Sequence, residues 1–371
     1  MRRPTMDDSP APKPWIESIH AYVPGKSAGG DGKPLVKLSA NENPLGCSPA
    51  VLAALGKVAS PNNYPDPDAN ALRAAIGAKH GIDPARIVCG TGSGELLHCA
   101  VQAYAGIGDE VLFSRFSFSL YPLLAHKVGA TPVMGADDDY AASVDNLLAA
   151  VTERTKVVLL DNPNNPVGTW LPASEVARLH AGLPSEVLLV LDQAYAEFLP
   201  EGVDDGGFEL AQCHANVVVM RTFSKAYGIA GERVGWATGA PPLVDMINRL
   251  RGAFNVTSHG QAAALAAIGD AEWVAHCRAE NAAARTNFAA AMDALGNHGI
   301  RILPSETNFV LVLFEGALSA EAAMDAIFAA GYAVRHLPGQ DLPHALRITI
   351  GTRDDMDAVA TAIRKAAEQA G

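Results

Sequence analysis

Cysteine is scarce and never paired: Cys47, Cys89, Cys99, Cys213 and Cys277 stand apart, with no CxxC motif and no histidines grouped at metal-ligand spacing. The scatter argues against a zinc motif and makes a reduced cytosol the expected setting. Runs of Lys or Arg are missing too, and 28 basic against 40 acidic residues give a net charge of −12 and a pI near 5.3. Such a chain offers no track for a nucleic-acid backbone and no patch for an anionic membrane, so any anion must be held by local basic residues. No apolar run approaches a bilayer span, FVLVLF (309–314) being far too short. The polar, proline-rich opening MRRPTMDDSPAPKP lacks the apolar core of a signal peptide, so a soluble protein with a frayed N-terminus is expected. No internal repeat is visible.

What remains is a chain of 371 residues, 49% apolar, enough for two or three domains with sizeable cores. Short β-branched runs alternate with Ala/Leu-rich helical stretches: RIVCG then GELLHCAVQAY, EVLFS then SLYPLLAHKV, KVVLLD then SEVARLHAGL, EVLLVLD, and NVVVMRTFS. This rhythm predicts an α/β fold with a mostly parallel sheet, and runs apolar on both faces, such as VVLL and LLVL, predict helices on each side of it. After about residue 260 the texture changes to one Ala-rich helical stretch (261–296), then TNFVLVLF, a helix, YAVRHL, LRITIG and a final helix, a second and smaller α+β unit. KSAGGDGKP (26–34) reads as a flexible connection and PEGVDDGGF (200–208) as an exposed loop.

Chemistry concentrates at strand ends. In RTFSKAYGIAGERVGW (221–236) an apolar strand runs into a hydroxyl-rich turn with one lysine, Lys225, and an arginine eight residues later. A lysine amine condenses with an aldehyde cofactor if its surroundings lower its pKa, and Thr222, Ser224 and Arg233 are suited to a phosphate beside it. Read alone, a lysine after a strand is more often a solvated surface residue. In LLVLDQAYAEF (188–198) Asp192 closes a buried strand and Tyr195 follows three residues on. A carboxylate there can reach a ligand above the sheet and keep a pyridine nitrogen protonated, although an Asp capping the next helix is commoner. DNPNNPVGTW (161–170) is an irregular turn whose Asn165 can offer its amide to a ring oxygen, or can be turn chemistry only.

In RIVCGTGSGELLHCAVQAY (86–104) a strand, a glycine-rich turn and a helix would aim the N–H groups of Ser93, Gly94 and Glu95 at an anion. The glycine spacing misses GxGxxG and no acidic residue closes a second strand about twenty positions on, so a single phosphate fits better than a dinucleotide. Phe118 in FSFSLY (116–121) is placed to stack on a planar cofactor or to fill core. Arg347 in ALRITIGT (345–352) sits within an apolar strand and wants an anion or a carboxylate; Arg335 in YAVRHL carries the same two readings.

Together these segments resemble the fold-type I aminotransferases, and most closely the histidinol-phosphate aminotransferase family. The likeness spans nearly the whole chain, from YVPGKS (22–27) and LSANENPLG (38–46) through NNYPDPD (62–68) to LRITIGTR, which starts at Leu346. The resemblance implies a pyridoxal 5′-phosphate enzyme acting on small amino compounds and 2-oxo acids, in the cytoplasm, as a homodimer with shared active sites. It implies an N-terminal arm (1–47) that joins a small C-terminal domain (261–371), and a large cofactor-binding domain (48–260) with a mixed, mainly parallel sheet. Lys225 matches the cofactor-binding lysine, Asp192 the partner of the ring nitrogen, and Asn165 and Tyr195 the groups on the ring hydroxyl. Thr222, Ser224, Arg233 and the amides of Ser93 and Gly94 match the phosphate cup, and Tyr64 a tyrosine reaching the neighbouring subunit's phosphate. Phe118 matches the stacking aromatic, Arg347 the arginine for the substrate's anionic group, and Arg335 and Tyr22 further phosphate contacts. Gly94, Gln193, Glu232 and His259 depart from the family's usual residues. Relatives on this scaffold transaminate aromatic amino acids or decarboxylate a phosphorylated threonine, so both stand as alternatives. A structural or regulatory relative without activity, and a nucleotide-dependent dehydrogenase, are the readings from other classes.

Overall fold

In the computed structural model of the protein, the described residues are 10–17, 19, 34–58 and 62–371. Residues 1–9 of the segment expected to fray, Tyr22 and the connection at 26–33 lie outside them. Seven strands form one sheet in the order 87–90, 235–239, 217–222, 188–192, 155–161, 110–114, 131–135. Strand Gly235–Gly239 runs antiparallel to both neighbours and all other pairings are parallel. The sheet is thus mixed and mainly parallel.

Both faces of these strands are covered. Val157, Leu159, Val190, Val218 and Met220 pack with Leu96, Leu97 and Ala100 of the helix Ser93–Tyr104. Their sequence neighbours Val158, Leu160, Leu189, Leu191 and Val219 point the other way, onto Val176 and Leu179 of the helix Ala173–Gly182. Removing each such side chain from water contributes roughly 1.5–3 kcal/mol. Because parallel strands joined by helices all end on one edge, the polar residues after the apolar runs are gathered there.

A second sheet is antiparallel throughout, in the order 300–302, 309–314, 342–349, 335–337. Its Val310, Val312, Leu346 and Ile348 pack with Phe288 and Met292 of the helix Ala271–Asp293 and with Val359 and Ile363 of the helix Arg353–Ala370. The short strand Val36–Lys37 pairs in parallel with Tyr332–Ala333, so the segment leading to LSANENPLG is fastened to the C-terminal third.

Two sequence expectations are corrected. The Ala-rich stretch 261–296 is not one helix: Ser258–Gly269 ends where Asp270 leaves helical geometry, with φ −98° and ψ 73°, and the Asp270 carboxylate caps Ala271–Asp293 by accepting from the N–H of Trp273. The loop 200–208 is not wholly exposed. Asp205 is buried and takes the N–H of Gly207, where a helix begins.

The turn after Lys225 is set by backbone contact. Gly228 has a φ of +71° and donates its N–H to the carbonyl of Lys225, and a Cβ there would lie 2.0 Å from the Gly46 carbonyl oxygen. Gly228→Ala should therefore lower unfolding stability by about 2 kcal/mol or more, through left-handed strain and loop displacement. A denaturant midpoint equal to the wild type's would contradict this close approach.

Candidate active site

Three adjacent strands end at the same edge of the large sheet in Asp161, Asp192 and Thr222, and the chain beyond Thr222 turns through Ser224 to Lys225. Over this edge lies a cavity of about 590 Å³. Ser93, Gly94, Phe118, Asn165, Asp192, Tyr195, Thr222, Ser224, Lys225, Arg233, Arg335 and Arg347 all line it, gathered from both sheets and from four loops. Two expected site residues are not among them. Tyr64 is 81% exposed and stacks on Phe254 at 4.4 Å outside the cavity, and Tyr22 lies outside the described residues.

The Lys225 amine donates to the Ala40 carbonyl at 3.1 Å and stands over the Tyr195 ring. Burial lowers its pKa to about 7, the nearby charge of Arg347 and then Arg233 pushing the same way against Glu42 and Asp192. A solvated surface lysine, the commoner fate of such a residue, is excluded by this geometry. Asp192 is buried; its Oδ2 accepts from the Tyr121 hydroxyl at 3.2 Å, while Oδ1 is buried with no hydrogen-bond partner among the described residues. Burial raises the Asp192 carboxyl to about 6, opposed by the Tyr121 hydroxyl, the Ala194 N–H and Lys225.

A network joins the two sheets above this pair. The Tyr195 hydroxyl accepts from the Asn41 amide at 2.9 Å and the Asn165 amide at 3.3 Å. Arg347 donates to the Asn165 side-chain oxygen at 2.7 Å and to the Ser39 carbonyl at 2.9 Å. Burial pushes the Tyr195 hydroxyl up to about 12 even with the Arg347 charge acting against it.

Thr222, Ser224 and Arg233 meet at the N-terminus of the helix Ser93–Tyr104. The Thr222 hydroxyl donates to Ser224 Oγ at 2.9 Å, and Arg233 Nη1 donates to the same oxygen at 3.2 Å. No side chain caps that helix, whose N-cap is Gly92. A Cβ on Gly92, at φ +75°, would lie 2.5 Å from Arg233 Nη2, and one on Gly235 2.3 Å from the Ser93 nitrogen, so only glycines leave this cradle open. Glu95 takes another part: its carboxylate turns back to the Thr91 N–H at 2.6 Å and the Asn255 amide at 2.7 Å.

Sequence reasoning missed Asn41, Tyr121 and Asp161 as members of the site. Asn41 lies within LSANENPLG, where no adjacent apolar run marks it, and Tyr121 follows Phe118 in FSFSLY as one more aromatic. Asp161 opens DNPNNPVGTW, where an aspartate is ordinary turn chemistry.

A cradle of N–H, hydroxyl and guanidinium donors, a buried carboxylate with an unmet acceptor and a lysine of lowered pKa define a site for an anionic cofactor that reacts with an amine. The family model described as aminotransferase class I and II matches residues 33–363, and the chain belongs to that family. It is 64% identical over 364 residues to the histidinol-phosphate aminotransferase of Erythrobacter litoralis, covering 98% of this chain and 99% of that one. Identity to the protein of the same name from Sphingopyxis alaskensis is 56% over 359 residues, covering 96% and 97%. Among solved structures, histidinol-phosphate aminotransferase of Sinorhizobium meliloti in complex with pyridoxal-5′-phosphate superposes with a TM-score of 0.89 at 29% identity, covering 99% of this chain and all of that one. Among the described residues no helix is long and apolar enough to cross a membrane, and no group of His, Cys, Asp and Glu could hold a metal ion.

The lowered Lys225 pKa is directly measurable. In protein free of cofactor, reductive methylation by formaldehyde should modify Lys225 with a midpoint near pH 7, because the reactive neutral amine is present above its pKa. Peptide mass mapping across pH checks this, and a midpoint near that of exposed lysines would contradict the shielding.

Proposed function

We propose that the chain is a pyridoxal 5′-phosphate-dependent aminotransferase that converts histidinol phosphate and its keto counterpart, with glutamate and 2-oxoglutarate as the second pair. The observation that carries this is Lys225 standing in one cavity with the unmet Asp192 oxygen and the glycine-lined anion cradle. Those residues fit the cofactor: the cradle of Ser93, Gly94, Thr222, Ser224 and Arg233 suits its phosphate, Asp192 its ring nitrogen, Asn165 and Tyr195 its ring hydroxyl, and Phe118 its face. When bound, pyridoxal phosphate supplies an aldehyde for amine exchange and a ring that takes up the electron pair left when a Cα proton departs. Asp192 would pair with the ring nitrogen and favour its protonated form. The Lys225 amine, at the edge of the same cavity, would take a substrate's Cα proton as general base and return it as general acid.

The substrate's anionic end is assigned to two arginines. Arg335 and Arg347 are register partners on neighbouring strands and both line the cavity. Like charges directly opposite repel, and a phosphate or carboxylate between them relieves that cost. The strong identity to histidinol-phosphate aminotransferases supports a phosphate-bearing donor over phenylalanine or phosphothreonine.

Homodimer formation belongs to the same reading. Leu52, Tyr64, Leu250, Phe254 and Leu265 are exposed large apolar side chains, and the helices Pro49–Leu55 and Ser258–Gly269 pack together. A second copy covering them would bring Tyr64 towards the partner's site. We place the large domain at 48–260, with the arm 1–47 and residues 261–371 forming the small one, and the enzyme in the cytoplasm, where its five free cysteines stay reduced.

Titrating the cofactor-loaded protein with candidate donors tests the proposal. Histidinol phosphate should remove the visible absorbance of the lysine-bound cofactor and phenylalanine should not. Arg347→Gln should raise KM for histidinol phosphate about thirtyfold, the loss of roughly 2 kcal/mol of charge-assisted hydrogen bonding. Carbon dioxide released from phosphothreonine without a keto product would overturn the transaminase reading.

A further inference from the structure

Asp161 ends the strand Thr155–Asp161 as the register partner of Asp192, and both line the cavity. It is buried, 4% exposed. Its Oδ2 accepts the backbone N–H of Asn165 at 2.8 Å and its Oδ1 the side-chain amide of Asn164 at 3.2 Å. Asn164 in turn accepts the N–H of Val167 at 3.0 Å and donates to the Phe116 carbonyl at 2.9 Å, so the turn is braced from its base. The Asn165 side chain then reaches Tyr195 and Arg347.

Closing such a turn needs an acceptor, and a neutral Asn or Ser would serve. A carboxyl in this position has a cost, because the two hydrogen bonds that brace it come from neutral amides. The titratable groups around it are Asp192 on the adjacent strand, Asp137 on the strand Asp137–Asp138, Tyr121 on the helix Tyr121–Val128, and Tyr195. Burial, followed by the Asp192 and Asp137 charges, raises Asp161 to about 8 against the pull of the Asn165 N–H.

We propose that Asp161 is a positioning residue of this site: its carboxyl fixes the turn bearing Asn165, and so sets where the Asn165 amide stands between Tyr195 and Arg347. The inference rests on the aminotransferase reading for its kinetic consequence, but not for its structural one. Asp161 binds its proton more tightly folded than unfolded. Its stabilising contribution is therefore complete below the unfolded carboxyl pKa of about 4 and is lost as pH rises through about 8.

Asp161→Ala and Asp161→Asn test it together, with and without cofactor. In the loaded enzyme Asp161→Ala should raise KM for histidinol phosphate about tenfold and shift the visible spectrum, whereas Asp161→Asn, which keeps one acceptor for the Asn165 N–H, should stay within about threefold. In the cofactor-free full chain, Asp161→Asn should flatten the fall in melting temperature between about pH 4 and 8. If Asp161→Ala does not fold, a wild-type pH slope in Asp161→Asn overturns the proposal, as does a wild-type KM and spectrum in Asp161→Ala. If wild-type protein fails to turn over histidinol phosphate, the functional reading falls while the melting series still decides on Asp161.

Discussion

A partly buried lysine amine beside a buried carboxylate sets the terms for the whole site. Neither group is satisfied by the other: the Lys225 amine donates to the Ala40 carbonyl, and one oxygen of Asp192 has no hydrogen-bond partner among the described residues. Burying a carboxylate with one oxygen unpaired costs several kcal/mol unless a ligand completes it. The large sheet supplies the rigidity that keeps them there, through strands apolar on both faces and closed over by helices. The opposite shifts, Lys225 down to about 7 and Asp192 up to about 6, follow from the same removal of water.

Residues far apart in the chain complete the chemistry. Asn41 donates its N–H to Thr349 Oγ1 of the second sheet and its side-chain amide to Tyr195 beyond the first. Arg347 reaches across in the same manner to Asn165. Hydrogen bonds between the two sheets therefore couple Arg347 to the floor of the cavity.

Much of this was legible in the sequence because the signals were local. Strand ends carrying Asp192, Asn165 and Lys225, and the turn SGE at a helix start, each combine an apolar run with a polar residue that the run itself positions. The alternation of strands and helices placed these ends on one edge. What escaped depended on tertiary crossing. Tyr121 opens a helix 71 residues before Asp192, and Asn41 lies 154 residues before Tyr195, so no spacing rule joins them. The break at Asp270 escaped because the alanines on both sides mask the Gly269–Asp270 pair, where one helix ends and the next is capped. Burial of Asp205 escaped because glycine and aspartate look like surface when the strand they pack beside is out of view.

The proposed function requires a covalent bond between the Lys225 amine and an aldehyde cofactor held over Asp192. Incubating the purified chain with pyridoxal phosphate, reducing with borohydride and mapping the digested peptides by mass measures it most directly. A phosphopyridoxyl group on the peptide containing Lys225, in near-stoichiometric yield, is the expected result. Label spread over exposed lysines, with the Lys225 peptide unmodified, would contradict it.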